Sequence, residues 1–289
     1  MICERLGRGL RMHDALRSQL TVWGYLRAES GLRVGTGRLS TVSGTDLAVI
    51  RDAQGDPFIP GSSLKGALRS YLEARLKGMI PTGADSRHIV ACDPNTDEED
   101  GPCLSAEEIR RIKEGNKDDE ALTEAIIVNS CLICQTFGSP WLASPVRVRD
   151  LSVRAEEWFG QFDVRDGVAI DRDKGTVSEG RLYDYETVPA GTRFEFHLMG
   201  DNLADWQLGL LWLGLRALEQ GEIAIGGFTR RGLGWISLEE VDARLFTGAQ
   251  AMLDRLMGEA DGQRVEDEEV QTWTKALQVA VRERGTQDA

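Results

Sequence analysis

The feature that most constrains this chain is a pair of helix-forming stretches, each flanked on both sides by segments that alternate apolar and polar residues. LTVWGYLRA (20–28), VRVRDLSV (146–153) and TRFEFHLMG (192–200) alternate as half-buried strands do. AIGGFTRRGLGWISLEEV (224–241) is a glycine-rich turn followed by a fourth strand. The first helix follows FIPGSS (58–63), and Ser62 or Ser63 is predicted to cap it, with Pro60 and Gly61 just outside. Leu64, Leu68, Tyr71, Leu72 and Leu76 then recur at helical spacing as a buried stripe. The second stretch, DNLADWQLGLLWLGLRALEQG (201–221), is apolar nearly all round and is predicted to be well buried. Gly221 stands where a left-handed C-terminal residue is wanted.

In chain order this is strand–helix–strand, strand–helix–strand: the split βαβ plan of a ferredoxin-like α+β fold with long inserts. GLRVGTGRLSTVSGTD (31–46) reads as a loop, LAVI (47–50) as a short strand and RDAQGDP (51–57) as a turn. Residues 78–130 look like an insertion, with a polar loop at DPNTDEEDGP (93–102) and an acidic helix near 105–127. Residues 154–185 are charged with few apolar anchors and are predicted to project as an arm. A helical tail is expected from 242 onward.

No apolar run approaches the roughly 18 residues that a membrane helix needs. The first residues, MICERLGRGLRMHD, have neither an apolar core nor a cleavage site, so a cytoplasmic protein is expected. A net charge of −13 argues at first against nucleic acid. Residues 1–80, however, carry 12 Lys and Arg against 7 Asp and Glu, whereas 93–124 carry 4 against 12. Binding answers to local potential, so a basic face with acidic outworks and a plain solvated acidic surface both fit.

Five cysteines in such a chain suit metal better than a disulfide framework. Cys131 and Cys134 form a C-x₂-C pair, and Cys92 and Cys103 lie upstream in the polar insertion. Four such thiolates can surround a structural Zn²⁺ and order a loop-rich segment; His88 is a substitute ligand, and Cys3 stands apart. Four ordinary buried thiols are the alternative.

Three segments in this order, PFIPGSSLKGALRSYLE (57–73), VAIDRDKGTVSEGRLYDYETVPAGTRFEF (168–196) and IGGFTRRGLGWI (225–236), resemble the RAMP superfamily of CRISPR proteins, most closely the repeated backbone subunit of type III effectors. The resemblance implies a single RAMP domain shaped like a right hand. Its palm is ferredoxin-like, its finger insertion (78–135) bears the zinc site, its thumb-like arm spans 154–190, and a helical tail spans 242–289. It implies guide CRISPR RNA, complementary target RNA and other effector subunits as partners, with self-stacking along the guide and no membrane. It also implies Mg²⁺- or Mn²⁺-dependent cleavage of target RNA by a loop acid, a place that Asp46 occupies in GTDLAVIRD, with Asp52 as fallback.

The matching residues have their own physical reading. A helix N-terminus offers free N–H groups to phosphate, where Gly61 permits close approach and Ser62, Ser63, Lys65 and Arg69 can donate. Lys65 and Arg69 fit a solvated face equally well. Gly226, Gly227, Gly232 and Gly234 surround Arg230 and Arg231, and serve either RNA backbone or a tight turn. In the arm, Val168, Ala169 and Ile170 suit a wedge between base pairs, with Arg165, Arg172 and Lys174 at nearby phosphates. Three readings compete with target cleavage: a non-catalytic guide scaffold, a guide-processing ribonuclease and a zinc-stabilised interaction module. The ribonuclease would call on His13, His88 or His197, none in a convincing constellation.

Overall fold

A computed structural model describes residues 15–35, 45–79, 90–93, 101–116, 118–170, 177–259 and 261–285. Its strands are β1 (Ser18–Ala28), β2 (Phe58–Ile59), β3 (Val146–Val148), β4 (Leu151–Ser152), β5 (Asp163–Ile170), β6 (Val177–Thr187), β7 (Arg193–Asp201), β8 (Ile223–Ala224), β9 (Trp235–Thr247) and β10 (Gln263–Arg264). Its helices are α1 (Gly61–Gly78), α2 (Ala106–Gly115), α3 (Asp119–Asn129), α4 (Leu132–Phe137), α5 (Asp205–Glu219), α6 (Gly248–Met257) and α7 (Asp267–Gly285).

Alternation puts Leu20, Val22, Leu26 and Ala28 of β1 on one buried face. β1 pairs antiparallel with β7 on one side and β9 on the other, β7 pairs with β3, and the sheet runs β10–β9–β1–β7–β3. With α1 following β1 and α5 following β7, this is the order of an antiparallel ferredoxin-like sheet. Opposite Gly24 the β9 strand carries one extra residue, between the pairs Trp23–Asp242 and Tyr25–Glu239. Gly24 is needed there, because a Cβ would sit 2.8 Å from the Glu239 carbonyl oxygen.

The helical stripe is as expected. Leu64, Leu68, Leu72 and Leu76 are buried with Leu210, Leu211, Leu215 and Leu218 of α5 and with Phe194 and Phe196 of the sheet. Each such side chain contributes on the order of 1.5–3 kcal/mol. Gly214 lets α5 approach α1, and Gly209 lets α7 lie on the other side of α5, where a Cβ would be 2.8 Å from the Trp273 carbonyl carbon. Gly221, at φ +69°, closes α5 in the left-handed conformation.

Several boundaries differ from the sequence expectation. α1 begins at Gly61 with Pro60 as its cap residue, and both serines lie in the first turn without capping it. The Gly61 N–H donates instead to Asp150 Oδ1 at 2.8 Å. Asp150 lies in the break that divides 146–153 into β3 and β4. LAVI makes single bridges, Leu47 to Tyr185 and Val49 to Gly35, rather than a strand. The acidic helix is two helices, α2 capped by Ser105 and α3 capped by Asp118. β9 runs to Thr247, so the first six residues of the expected helical tail are strand. Among the described residues no helix is long and apolar enough to cross a membrane.

Candidate functional site

Asp46 lies exposed at the end of the Gly-rich loop, held to the hairpin of β5 and β6. Its N–H donates to Asp184 Oδ1 at 2.7 Å, and the Asp184 N–H donates to Asp46 Oδ2 at 3.3 Å. One residue on, Leu47 accepts the Glu186 N–H at 3.1 Å. Glu186 secures the rest of the loop through the Val49 N–H (3.2 Å), Thr45 Oγ1 (3.3 Å) and Arg51 (2.8 Å). Burial alone would raise the Glu186 carboxyl, but Arg51, Val49 and Thr45 outweigh it and hold it below its ordinary value. Asp52, the fallback acid, turns back on its own loop and accepts from the N–H groups of Gln54 and Asp56 at 2.9 Å each, the turn-forming role that its sequence suggests.

The glycine-rich turn comes to the same region. Phe228 sits at φ +62° with Gly226 at +81°, Gly232 at +88° and Gly234 at +79°. Gly226 passes against the Arg33 backbone and Gly234 against the Ile225 carbonyl, so tight packing inside the protein already requires both glycines. The Phe228 ring is 4.8 Å from that of Tyr185 and 6.3 Å from that of Tyr183. Arg33 lies 5.5 Å from the Phe228 centroid and Arg231 lies 5.1 Å from it. Arg231 also donates to the Tyr183 hydroxyl. Asp46, the hairpin base and the arginines of the turn are thus joined by hydrogen bonds and ring contacts, although no motif in the sequence links them. Arg230 is exposed beside them.

At the amino end of α1 the expected RNA ligands divide. Ser62 is exposed and Ser63 half-buried. Gly61 is buried, and a Cβ there would lie 2.8 Å from the Arg149 carbonyl oxygen and closer still to that of Val148. Its missing side chain therefore serves the approach of protein backbone, which corrects the expectation that it clears a path for RNA. Lys65 Nζ donates to the Val146 carbonyl at 2.9 Å, and burial, then Arg69, lowers its pKa. Arg69 turns inward, giving Nε to Glu73 (2.7 Å), Nη1 to the Gly138 carbonyl (2.7 Å) and Nη2 to Cys134 Sγ (3.4 Å). The expected positive ridge does not extend to it, because all three nitrogens have partners inside the protein.

Arg165 is exposed on β5, 4.0 Å from Asp163. Ile170 closes β5, opposite Val177, but its side chain and the whole of Arg172 lie outside what the structure describes. Cys3, His13 and His88 also fall outside it. His197 stacks on Trp23 at 5.4 Å in the sheet, where burial, then Arg149 and Arg255, lowers its pKa.

The cysteines converge. Cys92, Cys103, Cys131 and Cys134 bring their sulfurs within 4.8 Å of one another, and all four are free thiols. Cys131 caps α4 and accepts the Cys134 N–H on its sulfur at 3.3 Å, the knuckle that a C-x₂-C pair forms. Cys92 Sγ is 3.5 Å from Cys134 Sγ and 3.7 Å from Cys131 Sγ. Tetrahedral Zn–S bonds of about 2.3 Å would set sulfurs about 3.8 Å apart, so the donor set fits zinc. Hydrogen bonds from Cys103, Cys131 and Cys134 pull the Cys92 thiol down, whereas Cys103 and Cys134 are pushed up. A lone cluster of thiols resists further ionisation in this way, and a cation relieves it.

Against known proteins, residues 25–237 match the RAMP superfamily. The protein from Methanocaldococcus jannaschii called CRISPR system Cms endoribonuclease Csm3 is 30% identical over 238 residues, covering 78% of this chain and 81% of the relative. The protein of the same name from Methanothermobacter thermautotrophicus is 26% identical over 251 residues, covering 77% and 84%.

Proposed function

Because the chain belongs to the RAMP superfamily, we propose that it is a backbone subunit of a type III CRISPR effector that binds guide RNA and cleaves complementary target RNA in the cytoplasm. The observation that carries this reading is the exposed Asp46 carboxylate, held by the Asp184 backbone at the base of the hairpin. The relatives' shared description as endoribonucleases supports it. In the hand-like arrangement the sheet with α1 and α5 is the palm, 78–135 the finger, 154–190 the thumb and 242–289 the tail. Zinc on the four cysteines orders the finger and leaves no open position for substrate.

The cleavage is an in-line attack by the target's own 2′-hydroxyl on the adjacent phosphorus. A P–O bond forms to the 2′-oxygen as its proton passes to water, the bond to the 5′-oxygen breaks and that oxygen takes a proton from water, and the products are a 2′,3′-cyclic phosphate and a 5′-hydroxyl. Asp46 orients that hydroxyl or holds Mg²⁺ or Mn²⁺, which would supply charge neutralisation at the phosphate. Ser62, Ser63, Lys65, Gly227, Arg230 and Arg231 serve the guide backbone without reading sequence, and Ile170 and Arg172 serve the thumb's wedge into the duplex.

The test is Asp46→Ala in the assembled complex. Guide and target binding should persist while cleavage opposite this subunit falls about 100-fold, on the scale of misplacing a reacting group. Undiminished cutting would remove Asp46 from the mechanism and leave a scaffold.

A further inference from the structure

Two arginines from distant parts of the chain converge on the cysteine cluster. Arg69 comes from the middle of α1 and gives Nη2 to Cys134 Sγ at 3.4 Å, while Glu73, one turn on, holds Nε at 2.7 Å and fixes the plane of the guanidinium. Its third bond, to the Gly138 carbonyl, pins it to the far end of α4. Arg284 comes from the last turn of α7 and donates Nη1 to the Val128 and Ser130 carbonyls at 3.2 and 3.1 Å. Ser130 immediately precedes Cys131, and its carbonyl also accepts Gln135 Nε2 at 2.8 Å. Arg284 is half-buried there, against the backbone that leads into Cys131.

We propose that Arg69 and Arg284 are positioning residues of the four-cysteine metal site, balancing its charge and tying the palm helix α1 and the terminal helix α7 to the finger insertion. This rests on the zinc reading above. Four thiolates around a divalent ion carry a net charge of −2, which is unfavourable in a buried site without cations nearby. One guanidinium bonds a ligand sulfur, and the other braces the backbone that presents a ligand. Partners of this kind fix ligand orientation, and losing one commonly weakens metal binding 10–100-fold. The metal then holds three segments that are far apart in sequence, and Arg69 belongs to it rather than to the guide.

The experiment uses the full chain purified with zinc. Zinc content is measured, then zinc transfer to a chromogenic chelator is timed for the wild type, Arg69→Gln, Arg69→Lys, Arg284→Gln and the remote control Arg216→Gln. Protease resistance of α7 and guide affinity are measured on the same samples. We expect release to quicken about 10–100-fold in the Gln variants and part-way in Arg69→Lys, which keeps the charge but loses the fork. The control should match the wild type. Arg284→Gln should also expose α7 to protease, and Arg69→Gln should keep its guide affinity while zinc is bound. Wild-type protein without zinc overturns the metal reading and this inference with it. Wild-type zinc with unchanged release from both Gln variants overturns this inference alone, as does an Arg69→Gln variant that loses guide affinity but keeps its release rate.

Discussion

Gly61→Ala separates what the palm helix needs for folding from what it offers to RNA. An added Cβ would lie 2.8 Å from the Arg149 carbonyl oxygen and nearer still to that of Val148, against about 3.3–3.6 Å for an ordinary carbon–oxygen contact. Both obstacles are backbone, so relief requires the β3–β4 turn or the end of α1 to move. Overpacking of this kind costs about 1–3 kcal/mol, and the helix gains back at most about 0.5–1 kcal/mol when glycine becomes alanine. The difference spans about 0–2.5 kcal/mol and centres near 1.2 kcal/mol, lowering Tm by roughly 2.5–5 °C at about 2–4 °C per kcal/mol. Urea and thermal denaturation of the isolated subunit measure it. Shifting the helix end would also break the Gly61–Asp150 bond, so the amides at the start of α1 should lose exchange protection. The companion variant Asp150→Asn keeps an acceptor but removes the negative charge at the helix end, costing about 0.3–1 kcal/mol. It should tighten guide binding at low salt if a phosphate passes there. Unchanged stability in Gly61→Ala combined with weaker guide binding would refute the packing argument and return this glycine to the RNA.

Other consequences follow from the same geometry. Gly234→Ala should cost at least about 1–3 kcal/mol, because a left-handed residue is forced to carry a side chain directly against the Ile225 carbonyl; thermal denaturation would show it. Arg230→Ala should leave Tm unchanged, since Arg230 is exposed, while lowering guide affinity in a filter-binding assay. Glu186 has a folded pKa below its ordinary 4.5, so its support of the 45–51 loop is complete above that value and is lost as pH falls through the lower folded one. Exchange of the Val49 amide followed by NMR should show this acid release in the wild type and no such pH dependence in Glu186→Gln. Guide binding by the single subunit should depend only shallowly on salt, with a log–log slope near −2 if about three phosphates are neutralised on a single strand.

The palm was legible because it rests on periodicity. Leu64, Leu68, Leu72 and Leu76 keep helical spacing, β1 alternates, and nothing in the tertiary structure overrides either. The cysteine site was legible because C-x₂-C fixes two ligands locally, although nothing in the sequence showed that Cys92 and Cys103 would meet them. The ends of elements were not legible. Ser62 looks like a cap, but a carboxylate 89 residues away takes the N–H that matters, and local sequence cannot announce a partner at that distance. Arg69 shows the same limit: its position on the helix is readable, but whether the fork faces solvent or Cys134 depends on where α4 packs. A pair of arginines converging on a cysteine cluster is a signal that sequence inspection could have sought only after the fold was known.

The charge distribution bears on how an acidic chain handles RNA. Among the described residues of the first 80, several basic side chains are already paired: Arg27 with Glu239, Arg51 with Glu186 and Arg75 with Glu222 at the surface, and Arg69 with Glu73 half-buried. Arg33 lies over Phe228, its pKa lowered by burial. These contacts neutralise or enclose the charges that composition alone would assign to a binding face. What remains beside Asp46 among the described residues is small and specific: the exposed Arg230 and Arg231, on a glycine-rich turn held against the aromatic rings of the hairpin. Two arginines cannot grip a long polyanion, but they can orient a short stretch of it. In the proposed assembly, where copies would each hold one segment of a guide, that is enough, since linked weak contacts multiply along a shared strand. A strong basic groove would bind any RNA without the assembly, so the small free positive charge beside Asp46 among the described residues suits the stacked complex proposed above better than a lone chain.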